Sequence, residues 1–239
     1  MPLKIDSQLI FAYESRYPKP MTYIDWALFI LVVLLAVMFV AADALVELRM
    51  RTSPLLWPKR VMILGGVLTV WLAGIAYVVQ AGVVLPSLLL VFGFAFSPAG
   101  KRLAYGLQWK EIIGFQAFRL PVELILMGYY LEGRIPRAMT FEGYNFDVLT
   151  AISAIAVAYY TSRIQLNFKL ITIWNVLGLG LLINILSLAI LSLPGRGHIL
   201  DVQPPNTLPL QWPSVWIIFC VMLALLGHLL TFRKLRGVA

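Results

Sequence analysis

The sequence predicts an all-α fold: a polytopic transmembrane helix bundle with about seven spans. Three observations predict it. Of the 239 residues, 61% are apolar and only 13% charged, whereas about a quarter of an ordinary soluble domain is charged. Several apolar runs approach or exceed the ~20 residues that a spanning helix needs. The turn signals that punctuate soluble β folds about every ten residues are missing. No loop is long enough to hold a soluble domain. Residues 23–232 therefore read as one transmembrane domain, between an amino-terminal segment (1–22) and a basic tail (233–239).

Residues 1–22 mix Leu9, Ile10, Phe11 and Tyr13 with charged groups, as an interfacial helix or a loose tail would. They show no secretory cleavage pattern, so the first span is expected to act as its own insertion signal. That span covers about Tyr23–Val46, opened by Asp25 and Trp26 and closed by Asp43, Glu47 and Arg49. A basic loop, Arg49–Arg60, carries Trp57 as an interface anchor. The second span, about Val61–Gln80, has Gly65, Gly66 and Gly74 for close helix approach. The third, about Gly82–Phe96, is short, and a second basic loop with Lys101, Arg102 and Lys110 follows. The fourth runs about Glu111–Leu131, and the loop Glu132–Phe146 leads to the fifth, about Asp147–Thr161. At 1.5 Å per residue the fifth covers only ~22 Å of a ~30 Å hydrocarbon core. It is either a partial span or one extended by snorkelling of Arg163. The sixth, about Leu170–Leu193, and the seventh, about Ser214–Thr231, flank a Gly/Pro-rich loop. Arg233, Lys234 and Arg236 make the tail basic.

Seven spans put twelve Lys and Arg on the side of the loops after spans one, three, five and seven. The other side holds six, and Arg119 lies within the membrane. The positive-inside rule then places the amino terminus outside and the carboxyl terminus in the cytoplasm. Losing either short span gives six spans and puts both termini on one side. The net charge of +8 sits at span ends, where it serves topology and anionic headgroups. The partners expected are the lipid bilayer, a small ligand and other membrane subunits, and no nucleic acid.

The fourth span carries the polar stripe Gln116, Arg119, Glu123 and Tyr130. Arg119 and Glu123 are four apart and share a helix face. Such a stripe cannot face lipid cheaply and is a functional candidate by default. Two chemistries are open: Arg119 neutralises Glu123 as a structural pair, or Glu123 titrates and binds a proton or cation. Pro121 between them removes a backbone donor, frees the Ala117 carbonyl and kinks the helix.

The loop Met139–Asp147 brings Glu142, Asn145 and Asp147 to the mouth of the fifth span. They read either as caps for its amino end or as an outer vestibule, joined by Arg134, Arg137, Arg196, His198 and Asp201. The sixth span carries Asn175 and, at about the depth of Glu123, Asn184. These point to opposite faces, which suits a helix central in the bundle. The two asparagines serve either as interhelical glue or as amides around a midplane cavity shared with Glu123. His198 and His228 fall on opposite sides and cannot form one metal site. The single cysteine, Cys220, allows no internal disulfide and reads as a packing residue. No zinc-protease, serine-elbow or phosphate-loop motif is present, which leans against an enzyme, and no cofactor is indicated.

FRLPVEL (118–124), MTFEGYNFD (139–147) and WNVLGLGLLINI (174–185) together resemble a group of uncharacterised bacterial polytopic inner-membrane proteins. The resemblance runs from about Lys101 to the carboxyl terminus. It implies the bacterial cytoplasmic membrane and a multi-pass architecture, and it assigns no residue roles. The seven-span, amino-terminus-out arrangement also resembles sugar-permeating 3+1+3 transporters, at the level of fold alone and without their loop motifs.

The leading functional expectation is a membrane protein that transports or binds a small molecule or ion. Its site would lie between the fourth and sixth spans, with Glu123, Arg119, Gln116, Asn175 and Asn184. The alternatives are a non-catalytic subunit or scaffold of a membrane complex, and an enzyme acting on a lipid or quinone through Glu142 and Asp147.

Overall fold

The computed structural model describes residues 20–50, 84–164, 166–194, 200 and 202–237. The expected second span, most of the first basic loop, residues 1–19 and the vestibule groups Arg196, His198 and Asp201 lie outside the described residues. Every regular element described is helical: α1 (Tyr23–Met50), α2 (Val84–Phe96), α3 (Pro98–Gly106), α4 (Trp109–Phe115), α5 (Arg119–Leu131), α6 (Val148–Arg163), α7 (Phe168–Leu191) and α8 (Ile217–Leu235). Among the described residues four helical runs are long and apolar enough to cross a membrane: α1, the α4–α5 run, α7 and α8 with its leading turn. The chain is thus a helical membrane protein by length and apolarity.

Local chemistry sets the helix ends. Thr22 and Asp25 cap α1 reciprocally: the Asp25 amide donates to Thr22 Oγ1 at 3.2 Å, and the Thr22 amide to Asp25 Oδ2 at 3.1 Å. The stretch expected to be a basic loop after α2 instead forms α3. Ser97 caps it by accepting from the Gly100 amide at 3.1 Å, and Pro98 occupies its first turn. Asn167 caps α7 in the same way at 3.0 Å.

Pro121 acts where its missing donor requires. The fourth span is not one α-helix: a 3-10 turn at Gln116–Phe118 separates α4 from α5. The Arg119 amide bonds the carbonyls of Gln116 and Ala117 there.

α8 is the axis of the bundle. Its most apolar stretch is 83% buried, against 28% for α7 and 17% for α1. The sixth span, expected to be central because it is polar on two faces, is less covered than α8 among the described residues. The main core lies around α8, in one cluster that takes in Leu223, Leu226 and Leu230 of α8, Val122 and Leu126 of α5 and Leu182 of α7. The expected tail is also partly helix, since α8 continues through Leu235. Lys234 donates to the Ala104 carbonyl at 3.1 Å and also to that of Leu107, so it tethers the carboxyl end of α3. Arg233 bonds the Ala95 and Ser97 carbonyls. At the same end Arg49 grips Glu111 through two bonds of 2.6 and 2.7 Å, and Arg102 pairs with Asp43.

Candidate functional site

The site is assembled around Arg119, the first residue after the 3-10 turn. Its Nε donates to Asp147 Oδ2 at 2.6 Å, and Nη2 donates to the other carboxylate oxygen. This is a two-pronged arginine–carboxylate pair. Nη1 lies 2.9 Å from His228 Nε2. A guanidinium has no acceptor, so Nε2 must accept, and the ring proton belongs on Nδ1. Nδ1 then donates to Asn175 Oδ1 at 2.8 Å, and Asn175 Nδ2 returns a bond to the His228 carbonyl at 3.1 Å. The chain Asp147–Arg119–His228–Asn175 thus ties α5, α6, α7 and α8 together, and all four side chains are buried.

Of the two readings left open for Arg119 and Glu123, the structural pair is not the one the geometry shows. Arginine four residues before glutamate is the weaker helical order, and Asp147 offers Arg119 both oxygens from a separate segment. The expected capping role of Asp147 is corrected for the same reason: the side chain makes no cap bond, because the carboxylate is turned to Arg119. Glu123 is held instead by Asn145, whose Nδ2 donates to Oε2 at 2.7 Å and also to the Met139 carbonyl at 3.1 Å.

Asn145 reaches Glu123 because the loop before α6 turns back into the bundle. Glu123 lies eight residues before the end of α5, so the loop returns by about 12 Å of helix rise. Irregular backbone at that depth must be covered by protein, and Ile135, Thr140 and Asn145 are fully buried. The loop satisfies itself locally: Tyr144 N bonds Ala138 O, Asn145 N bonds Thr140 O, and Asp147 N bonds Asn145 Oδ1. A Cβ on Gly143 would stand 2.2 Å from the Arg137 carbonyl, so the turn that delivers Asn145 requires glycine there.

Among the described residues the outer vestibule groups do not gather as one site. Asn145 and Asp147 turn inward, while Glu142 stays exposed, 3.8 Å from Arg137. Gln116 is buried and donates to the Ala224 carbonyl of α8 at 3.0 Å, so it fastens helices beside the cluster. Asn184 stands apart: half-buried on α7, it donates to the Tyr144 carbonyl at 2.7 Å. It secures the loop and does not face Glu123. Tyr130 of the stripe is half-buried against the core. The sequence reading set His228 aside as a poor metal ligand. The available signal was an ionisable group within a span.

Beside the cluster lies a cavity of about 110 Å³ between α5, α7 and α8. For scale, apolar cavities of ~150 Å³ hold benzene. Arg119, Glu123 and Asp147 line its polar end, and Val122, Leu182, Ile185, Ala189, Cys220 and Met222 are among its apolar walls. Among the described residues no three His, Cys, Asp or Glu side chains gather as a metal site.

Fold and site together define a helical membrane protein with a buried ion-pair cluster at the end of an apolar cavity. The chain belongs to the family described as a domain of unknown function (DUF8737), whose model matches residues 76–236. The match takes in α2 to α8, the cluster and the cavity. No curated protein and no solved structure matches the chain.

Proposed function

We propose that this protein binds, and passes across or within the bacterial cytoplasmic membrane, a small, mostly apolar molecule bearing one polar group. The observation that carries this reading is the cavity that reaches Glu123: apolar walls with a polar end are the composition of a small-molecule site. An ion alone would gain little from walls of Leu, Ile and Met. The loop 132–146 is suited to gate the site, because it contributes Asn145, which holds Glu123, and Met139 in the wall, and it leads directly into Asp147.

The proposed topology has seven spans, with the amino terminus outside. Arg49, Arg102, Arg233 and Lys234 meet at one end of the bundle, which the positive-inside rule assigns to the cytoplasm. Reporter fusions after Met50, Gly106 and Arg163 should all signal a cytoplasmic position, and an external signal from any of them overturns the arrangement.

The function is tested by filling the cavity. Ala189→Phe places a ring in the wall. Organic extracts of the wild-type protein purified in mild detergent should contain a small amphiphile that is missing from the variant. Matching extracts would count against the proposal. The lipid or quinone enzyme is disfavoured because Glu142 and Asp147 do not share one site. A subunit role draws on α1, whose apolar surface is little covered among the described residues. A stoichiometric partner in the same purification supports that role.

A further inference from the structure

With Glu123 ionised, the charges at the polar end of the cavity would not cancel. Arg119 is occupied by Asp147 through two bonds and by His228 through a third. Its charge is matched by Asp147, and the His228 ring accepts from it as a neutral imidazole. That leaves Glu123. The side chain is 1% exposed and lines the cavity. Among the described residues the hydrogen bond it receives is the one from Asn145 to Oε2. Oε1 is left with an open acceptor position at the apolar chamber.

A buried carboxylate without a counter-charge is costly and takes up a proton unless a cation meets it. Three kinds of head group could meet it. An anionic head would face Glu123 and Asp147 together, with Arg119 already engaged, and like charges at such range repel. A neutral hydroxyl can donate one bond but brings no charge. An ammonium supplies both the donor and the missing positive charge, and charge-assisted bonds are roughly twice as strong as neutral ones.

We infer that the ligand of this cavity is a lipophilic amine, its ammonium on Glu123 Oε1 and its apolar body between α5, α7 and α8. The inference rests on the proposed binding role of the same cavity and names its substrate class. Asn145 is a positioning residue here, since it fixes the other carboxylate oxygen. Arg119 and Asp147 hold the site without contributing net charge.

Cys220 gives a direct readout. It is the chain's single cysteine, and it lies in the cavity wall. Modification by methyl methanethiosulfonate is therefore counted by the intact mass of the protein in lipid nanodiscs. The probes are decylamine, decanol and decanoate, which share one chain. Decylamine should protect Cys220 at concentrations about tenfold lower than either of the others. Glu123→Gln should level the three probes, and Glu123→Asp should keep the preference for the amine. If Glu123→Gln fails to fold, the wild-type ranking with Glu123→Asp still decides. Equal protection by decanol, or better protection by decanoate, overturns the amine inference and leaves the binding role standing. A thiol that reacts but is protected by none of the three overturns the binding role itself, as does one that the reagent cannot reach.

Discussion

Two arginines of this chain, one buried and one half-buried, meet aspartates from distant segments, and they end in different situations. Arg134, just past α5, donates to Asp25 Oδ1 of α1 at 2.9 Å and to Ser214 Oγ at 2.7 Å. The Tyr129 hydroxyl donates to the same Asp25 oxygen at 2.9 Å, and the guanidinium lies over the Tyr129 ring at 4.5 Å. Asp25 takes a further bond from the Thr22 amide. Arg134 also lies 3.5 Å from the Glu132 carboxylate, which is exposed to solvent. Arg119 likewise has an aspartate and a second carboxylate nearby, but that carboxylate, Glu123, is buried. The spare charge of the end cluster is solvated, whereas the spare carboxyl of the mid-bundle cluster lines the cavity. The difference separates a clamp from a site: both hold helices together, and only one has an interaction left to offer.

The largest expected effect comes from breaking the mid-bundle pair. Arg119→Met leaves Asp147 and Glu123 buried together without a cation, and removing one partner of a buried ion pair costs about 3–5 kcal/mol. Unfolding by SDS in mixed micelles should register a loss of that order. Adding Asp147→Leu should recover part of it, because the second change removes the stranded charge. A double variant as unstable as the sum of the two singles would mean that the pair is not coupled as described.

A smaller effect sharpens the same cluster through α7. A Cβ on Gly178 would stand 2.7 Å from His228 Cε1 and 2.9 Å from Thr150 Cγ2, whereas one on Gly180 meets nothing within 4 Å. Gly178→Ala should therefore cost about 1–3 kcal/mol by overpacking and displace the ring from Arg119. Gly180→Ala, two residues away, should leave stability unchanged or slightly raised. Equal outcomes for the two would show that His228 is not seated against α7. At the end clamp, Tyr129→Phe removes one hydrogen bond and should cost about 1 kcal/mol. It should leave protection of Cys220 by decylamine unaltered, since the clamp does not reach the cavity.

What the sequence made legible follows from the range of each interaction. The apolar runs placed α1, α7 and α8 within a few residues, because length and hydropathy are local. The inward stripe of the fourth span was readable too, since a charge in an apolar run has to be buried: Gln116, Arg119 and Glu123 are all within 2% of full burial. Ser97 followed by Pro98 carries a signal for α3, but its lysine and arginine pointed to a basic loop, and the helix was missed. The choice of Asp147 over Glu123 as the partner of Arg119 was not legible. It depends on the loop 132–146 turning inward, and that turn depends on bonds such as Asn145 to Glu123, which no helical periodicity encodes. Asn184 misled for a related reason. Its depth matched that of Glu123, but depth fixes only one coordinate, and the helix face set the other.

The smallest expected effect lies within that loop, where two residues separate an exposed carboxylate from a buried amide. Glu142 stands 3.8 Å from Arg137, with side chains 44% and 65% exposed. Exposed pairs of this kind contribute little or nothing measurable. Asn145 is fully buried and holds Glu123. Glu142→Gln should therefore change neither the SDS midpoint nor the ranking of the three probes at Cys220. Asn145→Ala frees Oε2 of Glu123 and should weaken the preference for the amine, because the carboxylate is no longer fixed. A loop of uniform function would answer to both changes alike. If Glu142→Gln shifted the ranking, the charge on the outer face of the loop would be reaching the cavity, and the division of labour between inward and outward residues would have to be redrawn.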